Sequence, residues 1–106
     1  MLPFARVTII GLGLIGSSLC RAIRAEMPTV RVTGHDADPA VRETARRIDL
    51  CDDITDTAGA SVTDADLVIL CVPVRAMGAA AAEIADDLPA DAIISDVGSC
   101  KADVLA

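Results

Sequence analysis

The sequence predicts an α/β protein in which helices cover both faces of a mainly parallel β-sheet. Short runs of β-branched and aliphatic residues alternate with segments whose apolar residues recur at helical spacing. This alternation is typical of βαβ units joined by right-handed crossovers. A glycine cluster at 11–16 follows the first apolar run and opens the first helical segment. Together these observations indicate a doubly wound, Rossmann-like sheet.

The first half of the chain contains two strand signals and two helix signals. Asp38 followed by Pro39 is a common helix start, because the aspartate caps the free amides and proline suits the first helical position. The pattern predicts strands at 6–10 and 30–35, and helices from Leu14 to before Pro28 and from Pro39 to about Ile48.

The second half contains the strongest strand signal. Residues 66–72 form a nearly continuous apolar run, typical of a strand covered on both faces, and Pro73 ends it. The other expected elements are a very short strand around Ile54, a partial helical turn at 58–64, an Ala-rich helix at about 75–87, and a last strand at 92–95.

Composition limits the classes of partner. A chain of 106 residues that is 53% hydrophobic suits one domain with its own core. Nine basic and sixteen acidic residues give a formal net charge of −7, the wrong sign for binding nucleic-acid phosphates. Phe4 is the only aromatic residue, which excludes a base-stacking platform. No apolar run reaches the ~18–20 residues of a membrane helix. We therefore expect neither nucleic acid nor membrane as partner.

The sequence has four cysteines, namely Cys20, Cys51, Cys71 and Cys100. They include no C-x-x-C pair, and only one histidine could join them as a metal ligand, so no metal site is expected. Scattered thiols are typical of a reducing cytoplasm, although their even number leaves open a secreted protein with two disulfides. We interpret them as small apolar fillers, because no basic partner in the sequence suggests an activated thiolate.

The glycine cluster Gly11-Leu-Gly13-Leu-Ile-Gly16 fits the G-x-G-x-x-G pattern between a strand and a helix. In this pattern Gly11 permits a tight turn, Gly13 lets the backbone approach a diphosphate, and Gly16 lets the helix lie close to the strand. The first helical amides, those of Leu14 and Ile15, would then face the phosphates. The alternative is a glycine-rich turn that serves packing only.

Asp36 stands about twenty residues beyond the glycines, at the end of the second predicted strand. A carboxylate there can accept hydrogen bonds from both ribose hydroxyls of NAD. Asp38 is close by and no arginine follows immediately, so a 2′-phosphate would meet two carboxylates and no obvious cation, which favours NAD over NADP. Asp36 could also be a solvated strand-end residue, and we interpret Asp38 as a helix cap.

In a doubly wound sheet, ligands bind where the carboxyl ends of the central strands meet. This places Val72, Pro73, Gly98 and Ser99 beside the cofactor. Pro73 would wall the nicotinamide-ribose region, or simply end its strand. Ser99 could bind a substrate oxygen or cap the next helix.

His35 is the only histidine, but we do not expect it to be a catalyst. It precedes Asp36 directly, so its side chain should point to the other side of the strand, at the adenosine end and far from the hydride. The basic group on the second helix is interpreted as a solvated helix face; its members are Arg42, Arg46 and Arg47.

Three segments, 7–19, 66–74 and 94–101, resemble the nucleotide-binding half of prephenate dehydrogenase and its arogenate-using relatives. The first is shared with several dehydrogenase families, whereas Asp-Val-Gly-Ser-x-Lys is more particular to this one. The resemblance implies NAD-dependent oxidative decarboxylation of prephenate or arogenate in tyrosine biosynthesis. It also implies that Ser99 hydrogen-bonds the substrate's ring hydroxyl and a catalytic histidine, and that Lys101, otherwise a surface charge, belongs to the same active-site segment.

In this family the catalytic histidine and a dimerising helical domain come after the Gly-Ser-x-Lys segment, whereas the sequence ends at Ala106. We therefore expect residues 1–106 to be a dinucleotide-binding domain, truncated before the C-terminal helical domain, inactive alone and a homodimer at full length. Two alternatives remain: the cofactor domain of a β-hydroxyacid dehydrogenase or pyrroline-5-carboxylate reductase, or a non-catalytic NAD-sensing module.

Overall fold

The computed structural model describes residues 5–96 and confirms the Rossmann-like α/β class. Within that range five strands form one sheet in the order β3-β2-β1-β4-β5, and every neighbouring pair is parallel. The elements are β1 Arg6–Ile10, α1 Leu14–Glu26, β2 Arg31–His35, α2 Pro39–Arg47, β3 Asp53–Ile54, α3 Ala58–Val62, β4 Leu67–Leu70, α4 Val74–Ile84 and β5 Ile93–Asp96.

The largest difference from the expected elements is the end of α4. The helix stops at Ile84 rather than near Asp87, and the chain continues as a tighter turn in which the Asp87 amide donates to the Ile84 carbonyl at 3.1 Å. Pro89 prevents the helix from continuing past Leu88, because a proline disfavours helical geometry in the residue before it, but it does not explain the earlier end at Ile84.

The sheet separates two apolar clusters, because successive side chains of each strand point to opposite faces. Val7 and Ile9 of β1 pack with Cys20 of α1 and Cys51, whereas Ile10 packs on the other face with residues of α3 and α4. Cys20 and Cys51 are buried, as expected of apolar fillers. The Cys51 thiol donates to Cys20 Sγ at 3.4 Å, and this hydrogen bond, with a smaller contribution from Arg24, lowers the pKa of Cys20, which the sequence did not suggest.

The strand order determines where a ligand could bind. The chain leaves β1 towards β2 on one side and later returns to β4 on the other, so a crevice opens at the carboxyl ends of β1, β2 and β4. In the register of the sheet, Ile10 lies opposite both His35 and Leu70 at this edge. In residues 5–96 no helix combines the length and apolar character needed to cross a membrane.

Candidate functional site

A cavity of about 400 Å³ lies at the carboxyl edge of the sheet. It contains five of the residues expected at a cofactor site, namely Gly11, Gly13, Asp36, Val72 and Pro73. The remaining expected residues behave differently. Leu14 and Ile15 lie exposed at the start of α1, Gly16 is buried beneath the turn, and Gly98, Ser99 and Lys101 fall outside the described residues.

Gly11 makes the sharp turn that leaves β1. Its φ of +97° is strained for any residue with a side chain, and an added Cβ would lie 2.8 Å from the Cys71 carbonyl oxygen. Its amide donates to the His35 carbonyl at 2.7 Å, which continues the pairing of β1 with β2 through the turn. The turn therefore brings the start of α1 to the edge of the sheet beside β2.

The other two glycines of the motif differ in what surrounds them. A Cβ on Gly16 would lie 1.8 Å from the Gly11 carbonyl oxygen, so α1 can approach the turn only because this position has no side chain. A Cβ on Gly13 would have nothing within 4 Å. Gly13 nevertheless lines the cavity, so its open side is available to a ligand.

The N-terminus of α1 has the properties of an anion site. Gly13 is the N-cap; within the described residues no side chain caps the helix, and its first turn holds no acidic residue. Helical geometry leaves the first amides without intrahelical partners, and the helix dipole places partial positive charge there. A diphosphate would satisfy these amides, so the turn fits the group that the sequence motif predicts.

Asp36 lies beside that turn with its carboxylate already oriented. One oxygen accepts from the Leu12 amide at 2.8 Å and the other from the Asp38 amide at 2.9 Å. A carboxylate has about four acceptor sites, so each oxygen retains one for a ribose hydroxyl. Asp38 is confirmed as the cap of α2, because its carboxylate accepts from the Ala40 amide at 2.9 Å.

Arg42 corrects two expectations. Its side chain is only 15% exposed, and its Nη1 donates to the carbonyls of Asp36 at 2.9 Å and Ala37 at 3.2 Å. It is therefore not part of a solvated face, and a cation does lie near Asp36. The guanidinium is already engaged, since Nε also lies 3.5 Å from an Asp56 carboxylate oxygen. The position of Arg42 in the first turn of α2 is the sequence feature that could have predicted its contact with the Asp36 carbonyl.

Of the two remaining arginines of that helix, Arg46 is exposed, as the solvated-face interpretation expected, and it also makes contacts with β3 and the segment after it. Its Nη2 donates to the Asp56 carboxylate at 2.6 Å and to the Ile54 carbonyl at 3.0 Å. Its guanidinium therefore links α2 to β3. Arg47 is exposed, as that interpretation expected.

The sequence did not predict the cavity wall formed by α4. Ala76, Ala79, Ala80 and Glu83 line it at helical spacing, and His35 lines it from β2. His35 therefore shares the cavity with Asp36, although alternation along a strand predicted opposite directions for the two side chains. The run of alanines in α4 is the sequence feature that could have predicted this wall, because small residues on one face of a helix leave room beside a sheet.

Cys71 lines the same cavity as a protonated thiol. Burial raises the pKa of Cys71 to about 11, with a smaller contribution from the charge of a Cys20 thiolate. Since the thiolate is the reactive form, alkylation of Cys71 by iodoacetamide should be slow at neutral pH and should rise until the pH passes about 11. Mass-spectrometric mapping of the modified peptide measures this rate. A rate that levels off near the pKa of a free cysteine would contradict the raised pKa.

The sheet order, the glycine turn and the open N-terminus of α1 define a nucleotide-binding domain of the doubly wound α/β class. Residues 19–106 match the family model described as prephenate dehydrogenase, nucleotide-binding domain. The chain belongs to this family. The match begins after Gly16, so it does not depend on the glycine motif that many dinucleotide-binding proteins share.

Individual relatives agree with the family. The chain is 50% identical over 105 residues to a cyclohexadienyl dehydrogenase of Zymomonas mobilis, covering 99% of this chain and 36% of the relative. It is 32% identical over 101 residues to a prephenate dehydrogenase of Lactococcus lactis, covering 94% of this chain and 28% of the relative. The chain therefore spans about a third of the length of such relatives.

Solved structures show the same architecture. The prephenate dehydrogenase of A. aeolicus, in a complex with hydroxyphenyl propionate and NAD⁺, superposes with a TM-score of 0.80 at 29% identity, over 90% of this chain and 34% of that one. The arogenate dehydrogenase of Synechocystis superposes with a TM-score of 0.78 over 86% of this chain and 32% of that one. At 24% identity, the second likeness shows the fold alone.

Proposed function

We propose that residues 1–106 form the NAD-binding domain of a dehydrogenase that oxidatively decarboxylates prephenate or arogenate. The NAD proposal rests on the uncapped N-terminus of α1, which has open space at Gly13 and an oriented carboxylate at Asp36 beside it. The A. aeolicus relative was solved with NAD⁺, which supports the choice of cofactor. In this proposal the amides of Leu14 and Ile15 hold the diphosphate, and Asp36 holds the adenosine ribose.

The reaction itself would need parts that lie outside the described residues. Bound NAD would accept the hydride, and Ser99 and Lys101 would belong to the segment that holds the substrate. A base that removes the ring hydroxyl proton as the carbonyl forms would assist the hydride transfer. Because the chain spans about a third of its relatives, we propose that a separate substrate and dimerisation domain supplies this base.

The same proposal covers the setting of the full-length protein. We propose a homodimer that works in the cytoplasm, in tyrosine biosynthesis, with prephenate or arogenate as its small-molecule substrate. The exposed apolar side chains Leu14 and Val74, at the starts of α1 and α4, support a further domain beside the cofactor cleft.

Replacing Asp36 with alanine should weaken NADH binding about tenfold, because the ribose loses an acceptor and the Leu12 and Asp38 amides lose theirs. Fluorescence titration of NADH measures the dissociation constant. Asp64→Ala is the matched control, since Asp64 is exposed and pairs with Arg6 away from the cavity. Unchanged affinity in Asp36→Ala would remove the ribose assignment.

NADH should bind at least about tenfold more tightly than NADPH. The 2′-phosphate would meet the carboxylates of Asp36 and Asp38, while Arg42 is engaged with backbone carbonyls and Asp56. Parallel titrations of the two reduced dinucleotides test this expectation. The reverse order would mean that Arg42 leaves its carbonyl partners to bind the phosphate, and that the charge argument at Asp36 is wrong.

A further inference from the structure

His35 is a buried histidine in the cavity to which the proposed function has assigned no role. It ends β2 opposite Ile10, and Ile10 packs with the cluster beneath α3 and α4. The side chain is 6% exposed and lines the cavity next to Asp36. A ligand that places a diphosphate at Gly13 and a ribose at Asp36 would therefore bring its base to this part of the cavity.

The hydrogen bond that His35 makes determines its tautomer. Its Nδ1 lies 2.9 Å from the Thr55 carbonyl oxygen, and a carbonyl can only accept, so Nδ1 must carry the proton. In the neutral ring, Nε2 is then an acceptor with a free lone pair. The Thr55 carbonyl is held in place, because the Thr55 amide donates to the Gly34 carbonyl at 3.1 Å. Among residues 5–96, Nε2 has no hydrogen-bond partner.

The other polar side chains of the cavity are hydrogen-bond acceptors, like His35 Nε2. Glu83 of α4 and Asp36 supply carboxylates, and no lysine, arginine, asparagine or glutamine of the described chain lines the cavity. The remaining wall is mostly small and apolar, including Ile10, Ala76 and Ala80. Such a slot suits a flat ring whose polar edge donates hydrogen bonds. A ring that presents a carbonyl on that edge would instead place one acceptor against another.

We propose that His35 determines base specificity, with Nε2 accepting a hydrogen bond from the exocyclic amine of an aminopurine such as adenine. This proposal rests on the proposed dinucleotide site and deepens it. A 6-oxopurine in the same place lacks that donor and leaves Nε2 unpaired. His35 thereby determines which dinucleotide binds, and it takes no part in hydride transfer.

The test compares NADH with its deaminated analogue, reduced nicotinamide hypoxanthine dinucleotide, in which a carbonyl replaces the 6-amine of the purine and N1 carries a proton. We expect the wild-type chain to bind NADH about tenfold more tightly than the analogue. His35→Ala should reduce this preference to about onefold, whereas Asp64→Ala, at an exposed residue outside the cavity, should retain it. The wild-type comparison needs no variant, so it stands even if His35→Ala fails to fold.

The outcomes separate the two proposals. Binding of both dinucleotides with equal affinity overturns the role of His35 and leaves the dinucleotide site intact. Loss of the preference in Glu83→Gln but not in His35→Ala also overturns it, and assigns the contact to α4. Failure of both dinucleotides to bind overturns the proposed function as well.

A second readout does not depend on affinity. His35 is the only histidine of the chain, so its ring nitrogens give a single set of signals in a long-range ¹H–¹⁵N spectrum. At alkaline pH we expect the Nδ1-protonated tautomer, and a shift of the Nε2 signal on addition of NADH that the hypoxanthine analogue does not produce. An Nε2-protonated ring, or equal shifts with both ligands, would overturn the proposal.

Discussion

Gly13→Ala should weaken dinucleotide binding strongly while leaving the fold intact. Gly13 has φ −72° and ψ −160°, which alanine adopts without strain, and an added Cβ meets no atom within 4 Å. The new methyl would instead occupy the space through which a diphosphate approaches the first amides of α1. We expect NADH affinity to fall about 100-fold, equivalent to about 2.7 kcal/mol, while the free energy of unfolding falls by no more than about 1 kcal/mol, because alanine is a poorer N-cap than glycine.

Gly78→Ala is the matched control for this experiment. Gly78 lies in α4, a Cβ there also meets nothing within 4 Å, and the residue does not line the cavity. It should bind NADH as the wild type does and gain about 0.5–1 kcal/mol in stability, because alanine replaces glycine inside a helix. If Gly13→Ala bound NADH with wild-type affinity, the diphosphate would have to lie elsewhere.

Gly16→Ala should have the opposite effect and destabilise the fold itself. Its Cβ would lie 1.8 Å from the Gly11 carbonyl oxygen, and backbone cannot move aside as a flexible side chain can. Either α1 must shift away from the sheet or the Gly11 turn must open. We expect a loss of about 3 kcal/mol or more in the free energy of unfolding. In a domain of this size the melting temperature should fall by more than about 10 °C.

Urea and thermal denaturation of Gly16→Ala and Gly13→Ala, side by side, measure this difference. Both variants make the same chemical change in the same motif, so only the surroundings of the two positions differ. Equal stability of the two variants would contradict the close approach of α1 to the turn at Gly11.

The fold was predictable because its signals are local. Each strand run is bounded by glycine, proline or a capping residue, and Asp38 with Pro39 fixed the start of α2. The end of α4 was misjudged because an alanine-rich helix has no periodic apolar signal that stops with it. Pro89 marks only the last residue that the helix could have reached, since a proline restricts the residue directly before it.

The candidate site was predictable only in part, for a different reason. Gly11 and Asp36 belong to a spacing that can be found in the sequence, and the structure brings them into one cavity. Arg42 and His35 reach the site through contacts with the Asp36 and Thr55 carbonyls. Such contacts depend on how strands and helices pack together, so residue type and spacing did not reveal them.

In the proposed site, the amides opening α1 face a dinucleotide's diphosphate while Asp36 holds its ribose. Titration of the ¹⁵N-labelled chain with NAD⁺, followed through its backbone amide signals, measures both contacts in one experiment. We predict saturable shifts that are largest at Gly13, Leu14, Ile15 and Asp36. Saturable binding that leaves these four amides unmoved, or no binding at millimolar NAD⁺, would contradict the claim.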